Sequence, residues 1–470
     1  MFVEGKLAAY NEFMPKPLLM QRALLSVAAA AAALAPAGCE FGLRYSIGGT
    51  VTGLTGQGLV LEDNGGDALA ISGDGAFFFS KGVQNGAAYS ITVRTQPTNP
   101  AQTCSVENGS GTVAGVDVGD ILISCNHGGQ FAYVANQLSN DISAYLIDAS
   151  NGFLTPVSGS PFATTGTAPV ALAMDPNGLY LYVVDNGSND VSVYAIDTTT
   201  GTLLPSGLAQ PTGLGPVAAA IDPTGSHLYV ANFASNSISA YSVSSGFLTE
   251  MSNSPFAVGA QPSALAVHPG GNFLYVTNAG NGDVEVLAID PASGSLSAIF
   301  NTSFPTGADP MSIAIDAAGN FAYVANQSAA SISEFSINAT TGALTAVSGS
   351  PVATTATPEA IAVGAAGAAG TAGAAAGPFV YVANVTANNE VGTYSIAAPA
   401  GALAPAGSPV AAGLLPDAIA LDPSGLYAYV ANENSNDISV YSIDVTTGAL
   451  TPVRGSPFAA GNQPRAIAID

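Results

Sequence analysis

The chain has 470 residues, of which 48% are hydrophobic and only 9% charged, with 54 glycines and 30 prolines. Lysine and arginine total 8 against 32 aspartates and glutamates, a net charge of −24. Phosphate backbones and anionic lipid headgroups are repelled by such a surface, which excludes nucleic acid as a partner and leaves an anchor as the route to a membrane. The many turn formers suit an all-β chain of short strands, and the length predicts two or three folding units.

Lys16 and Arg22 precede an apolar run over 23–37 that ends in small residues. A charged region, an apolar run too short to span a bilayer and a small-residue end together make a secretory signal over 1–39. Met14 or Met20 is an alternative start, because 1–13 carry no targeting pattern. The sequence Pro36-Ala37-Gly38-Cys39 resembles a bacterial lipobox, which implies that Cys39 is lipidated and becomes the new N-terminus. Ordinary cleavage after Ala35-Pro36-Ala37 is the alternative, and it would leave Cys39 as an odd exposed thiol. The expected location is therefore outside the cytoplasm, as a lipoprotein of the outer membrane facing the periplasm or the cell surface, held only through its lipid.

The remaining cysteines, Cys104 and Cys125, lie in one later segment. Export permits a disulfide, and the simplest division is one lipid-bearing thiol and one bridge, Cys104–Cys125. Two free buried thiols are the alternative.

Residues 41–126 alternate apolar and polar positions in short runs, such as Tyr89-Ser90-Ile91-Thr92-Val93. Turns such as Asn64-Gly65-Gly66-Asp67 separate them, so six or seven strands forming a small β-sandwich are predicted. The pattern resembles the immunoglobulin-like modules of bacterial surface proteins, which implies a spacer.

From 127 to 470 the chain repeats itself. The string YVAN, or a near match, ends at Asn136, Asp185, Asn232, Asn278, Asn326, Asn384 and Asn432, at intervals of 46–49 residues apart from one of 58. The long interval contains an Ala/Gly tract over 364–377. Each copy reads as four strands: an Ala-Ile-Ala-Ile-Asp-like first strand, an Asp-Pro-x-Gly turn, the YVAN strand, a third strand such as 437–444, a Thr-Thr-Gly turn, and a fourth through Leu450. Four strands repeated seven times make the blades of a seven-bladed β-propeller. The first copy begins at Phe131 with its second strand, and 464–470 form a first strand with no successor. The C-terminal strand is therefore expected to complete the first blade and remove a bare edge.

At these repeats the chain resembles the YVTN-repeat propellers and the related seven-bladed lactonases, which include 6-phosphogluconolactonases. The resemblance implies the fold and, more distantly, a site on one propeller face. Connections alternate between faces, so the loop into each first strand and the loop after YVAN share one face, while the Asp-Pro-x-Gly and Thr-Gly turns and the Ala/Gly tract share the other.

Each loop into a first strand carries a proline followed by one variable residue: Val170, Val217, Ser263, Met311, Glu359, Asp417 or Arg465. The Pro-His pair that the lactonase resemblance implies is absent from all seven. His227 and His268 fall on the opposite face and read as structural, and the Asn/Asp residues that end YVAN read as turn chemistry, as do Asp141, Asp190, Asp283 and Asp437. Glu359, Asp417 and Arg465 fall on consecutive blades once the ring closes. Two carboxylates and a guanidinium form the candidate ligand site, for a polar ligand or for Ca²⁺ if Arg465 turns away; the alternative is a solvated ion-pair cluster. No other cofactor is indicated. The residues favour a binding module for a protein or glycan at this face. The alternatives are a lactone hydrolase, for a sugar or neutral lactone, and a structural surface-layer protein.

Overall fold

A computed structural model describes residues 44–54, 57–97, 103–126, 131–364, 378–385 and 389–470. The signal, Cys39, His127 and most of the Ala/Gly tract lie outside the described residues.

The described part is all-β. In residues 44–126 two four-stranded sheets share one core that includes Ile47, Leu59, Leu61, Phe77, Ile91 and Ile123. Among its described residues this small unit contains ten short strands rather than six or seven, because glycine-rich turns cut the alternating runs into pieces as short as Val83–Gln84. One pairing is parallel: Val118–Asn126 runs beside Ile47–Thr52, while Thr103–Glu107 pairs antiparallel on its other side. That antiparallel register sets Cys125 opposite Cys104, and the two form a disulfide.

Seven sheets follow, each a blade. Blade 7 is typical: Pro416–Leu421, Tyr427–Asn432, Asp437–Ile443 and Leu450–Pro452 pair in sequence order. The second strand of each blade lies between two neighbours and between two adjacent blades. That is why it reads as a nearly unbroken apolar run, and all six residues of Tyr427–Asn432 are buried. Most blades also carry a two-residue fifth strand, such as Phe458–Ala459 against Asp437 and Ile438. The sequence pattern gave no sign of it, since two residues are too few to alternate.

Blade 1 is assembled from both ends of the propeller sequence. Phe131–Asn136 pairs with Asp141–Ile147 on one side and with Pro464–Ile469 on the other, with Tyr133 opposite Ala468 and Val134 opposite Ile467.

Five of the seven YVAN tyrosines bolt neighbouring blades together. Tyr133, Tyr229, Tyr275 and Tyr323 are fully buried, and each hydroxyl donates to a turn glycine carbonyl of the next blade: Gly201 (3.2 Å), Gly294 (2.8 Å), Gly342 (3.0 Å) and Gly401 (3.0 Å). Tyr429 of blade 7 reaches Gly152 of blade 1 at 3.4 Å, so the same bond crosses the closure. These glycines explain the Thr-Thr-Gly signature. Gly201 has φ +72°, and a Cβ there would meet the Phe131 ring at 2.3 Å. Both the backbone and the close approach therefore require glycine.

Candidate functional site at the channel mouth

The loop into each first strand and the loop after YVAN are tied by a backbone bond on one face. Gln137 N donates to Gln463 O (2.8 Å), Gln327 N to Asp309 O (2.8 Å) and Glu433 N to Leu415 O (2.8 Å). These loops surround a cavity of about 450 Å³. All seven residues that follow the loop prolines, from Val170 through Arg465, line it.

The three charged ones converge. Arg465 Nη1 donates to Asp417 Oδ1 at 3.0 Å and to Glu433 Oε2 at 2.6 Å. Glu359 accepts a short bond from the Gln327 amide. Glu433 and Gln327 occupy the same place in their repeats, directly after YVAN, and each reaches the variable residue of the next blade. Glu433 is a member of the cluster that the sequence reading missed. It belongs to a different tier of loops, though it is the one acidic residue among the seven that follow YVAN.

The cluster is not freely solvated. The side chain of Arg465 is 33% exposed, and those of Asp417 and Glu433 are 12% and 17% exposed. Burial pushes the Asp417 carboxyl up to about 7; Arg465 opposes the shift, and the charges of Glu359 and Glu433 add to it. Burial also raises Glu359, against the bond from Gln327 and the charge of Arg465. The carboxylates hold the Arg465 guanidinium above its usual value despite burial. A carboxylate poised near neutrality beside a guanidinium can take a proton from water while the guanidinium polarises a carbonyl. Both Arg465 bonds use Nη1, and a guanidinium carries five N–H donors, so Nη2 and Nε can meet a ligand.

Arg465 faces into the cluster rather than away from it, which removes the geometry that a Ca²⁺ site needed. Among the described residues no three acidic, histidine or cysteine side chains are grouped as a metal requires. Ser263 is buried, with its hydroxyl against that of Thr277 (2.9 Å) and donating to Pro310 O (2.5 Å), so it is not presented as a nucleophile. His227 and His268 are structural. His227 Nδ1 lies 3.1 Å from Asp222 Oδ2. His268 Nδ1 accepts from Gly270 N (2.9 Å), which leaves Nε2–H to donate to Gly319 O (3.0 Å).

The Asn/Asp ring that ends YVAN is structural in a different way from that expected. All seven are fully buried, and Asn136, Asp185, Asn232, Asn278, Asn326 and Asn432 bond across strands, not to their own backbone. Asn136 Nδ2 donates to Asp141 Oδ1 (2.7 Å) and Ser143 Oγ (2.9 Å), while its Oδ1 accepts from Gly461 N (3.1 Å).

A family model described as "Lactonase, 7-bladed beta-propeller" matches residues 88–213, 205–357 and 350–467. The chain belongs to this lactonase family. The lactonase propeller is also found in solved structures. A candidate 6-phosphogluconolactonase from Bacteroides uniformis is 18% identical, with a TM-score of 0.63 over 73% of this chain and 100% of that one. A candidate 6-phosphogluconolactonase from Bacteroides fragilis is 20% identical, with a TM-score of 0.62 over 73% and 98%. The periplasmic gluconolactonase of Pseudomonas aeruginosa is 22% identical, with a TM-score of 0.59 over 72% and 98%. At these identities the likeness is one of fold. No curated protein matches the chain.

Proposed function

We propose that this lactonase-family propeller binds and opens a neutral lactone at the channel mouth. The observation that carries the reading is Asp417, a carboxyl raised to about 7, bonded to Arg465 in a cavity lined by all seven loop residues. Asp417 takes a proton from water as the water oxygen adds to the acyl carbon. Arg465 donates to the carbonyl oxygen, where negative charge develops. The ring C–O bond then breaks, the departing ring oxygen takes the proton, and the product is the open hydroxy acid. Glu359 and Glu433 accept hydroxyls or hold Arg465 in place.

A phosphorylated lactone fits poorly. Its phosphate would meet three carboxylates and a guanidinium that two of them already occupy. With the purified chain, hydrolysis of glucono-1,5-lactone is expected to exceed that of its 6-phosphate at least tenfold in kcat/KM. Equal rates, or a preference for the phosphate, would overturn the neutral-substrate reading.

A binding module for a protein or glycan is the second reading. It is favoured by the committed Ser263 hydroxyl and by histidines that lie on the other face. Saturable binding with no turnover of any lactone would select it.

We further propose that the protein is exported and anchored through lipid on Cys39, with residues 41–126 as an immunoglobulin-like spacer. The Cys104–Cys125 disulfide supports export, as does the likeness to a periplasmic protein.

A further inference from the structure

The channel mouth has two unlike halves. Going round the ring, blades 6, 7 and 1 carry Glu359, Asp417 and Arg465, and blades 2, 3 and 5 carry Val170, Val217 and Met311. Blade 4 between them carries Ser263, whose hydroxyl is turned to Thr277 and Pro310. The loops after YVAN are mixed: Gln137 and Asn186 also line the cavity, and the Asn186 amide is turned to Pro216 O (2.9 Å). Glu433 and Gln327 serve the polar half, while Phe233 lines the same cavity from blade 3. Val170, Val217, Phe233 and Met311 are each partly exposed, so they present apolar surface to whatever fills the cavity. Around the same face, Leu138, Leu214 and Leu414 are 64%, 63% and 56% exposed. A ligand bearing only hydroxyls would satisfy one half of the mouth and leave the other wetted.

We propose that the site takes an amphiphilic lactone: the ring and carbonyl against Asp417 and Arg465, and a hydrocarbon substituent against Val170, Val217, Phe233 and Met311. This rests on the lactone reading above and names the substrate class within it. The cavity is of the size of small-molecule sites, which are mostly apolar with a few placed polar groups. The contiguity of the two halves fixes the orientation, since reversing the ligand would bury carboxylates against hydrocarbon.

The test is a series of δ-lactones with linear alkyl substituents from methyl to heptyl, given to the full purified chain. In parallel, calorimetry measures binding of the matching non-hydrolysed lactams. The expected result is a kcat/KM that rises about fourfold per methylene over the first members and then levels, as each methylene leaves water. The double variant Val170→Thr with Val217→Thr should lower that slope to about twofold or less, with the melting temperature read alongside. Hydrolysis that is flat or falling with chain length overturns the inference and leaves the hydrolase reading standing. Lactam affinity that rises with chain length, with no lactone hydrolysed, supports the apolar half and sinks the hydrolase reading. No binding and no turnover of any member overturns both.

Discussion

The amide of Phe131 donates to Asp470 Oδ1 at 2.8 Å across a sequence separation of 339 residues. Asp222 makes the same bond to His227 N (2.9 Å), and Asp422 makes it to Tyr427 N (2.7 Å), each within its own Asp-Pro-x-Gly turn. Asp470 thus makes, between opposite ends of the propeller sequence, the bond that the Asp-Pro-x-Gly turn makes within other blades.

Deleting 464–470 should therefore leave the Phe131–Asn136 strand bare on one side and remove the packing of Ile467 and Ile469 between blades 7 and 1. The truncated chain is expected to melt at a lower temperature and to associate through the open edge. A melt by calorimetry with sizing by light scattering checks this; an unchanged melting temperature in a monomer would contradict closure.

Asp185 is the one carboxyl in the ring that is otherwise asparagine. In blades 1, 4 and 7 the asparagine Nδ2 donates to an aspartate five residues on, at 2.7–2.9 Å. Asp185 instead meets Asp190 as a second acid, accepts from Ser192 Oγ (2.6 Å), and is pushed up to about 7, chiefly by burial. A carboxyl raised in the folded state stabilises fully below its unfolded pKa near 4. That contribution is lost as pH rises through about 7, and the cost is at most about 4 kcal/mol. Asp185→Asn should therefore raise the melting temperature at pH 8 and do little at pH 4–5. A gain that is equal at both pH values would show that Asp185 is not the buried acid described.

Much of this was legible in the sequence because a repeat makes positions comparable. The period locates the blades, the mismatched ends locate the closure, and equivalence between loops brings Glu359, Asp417 and Arg465 to one mouth. Glu433 was not found, because it sits in the loop after YVAN, and only the fold places that loop over the next blade's first strand. The YVAN asparagines read as turn chemistry because residue type alone cannot tell a side chain bonded within its loop from one turned inward onto the third strand. Burial carried the rest. Nothing in the sequence distinguishes an exposed ion pair from the half-buried one that Arg465 forms.

Reducing Cys104–Cys125 should destabilise residues 44–126 by about 3 kcal/mol, as expected for a bridge closing some twenty residues, and leave the propeller transition unchanged. Two-step melts with and without reductant check this, the contrary result being a shift in the propeller step. Intact mass of membrane-extracted protein should carry lipid at Cys39; an unmodified N-terminus at Gly38 would contradict the anchor.

The most direct test of the site is the pH dependence of lactone opening by wild type and by Arg465→Ala. If Asp417 is the base, wild-type kcat/KM should fall below an apparent pKa near 7. Arg465 lowers that value, so its removal should shift the limb to higher pH and cut the plateau about 100-fold. Asp417→Asn should abolish the limb. A wild-type profile flat from pH 5 to 8, or an unmoved limb in Arg465→Ala, would contradict a reaction run by Asp417 and Arg465.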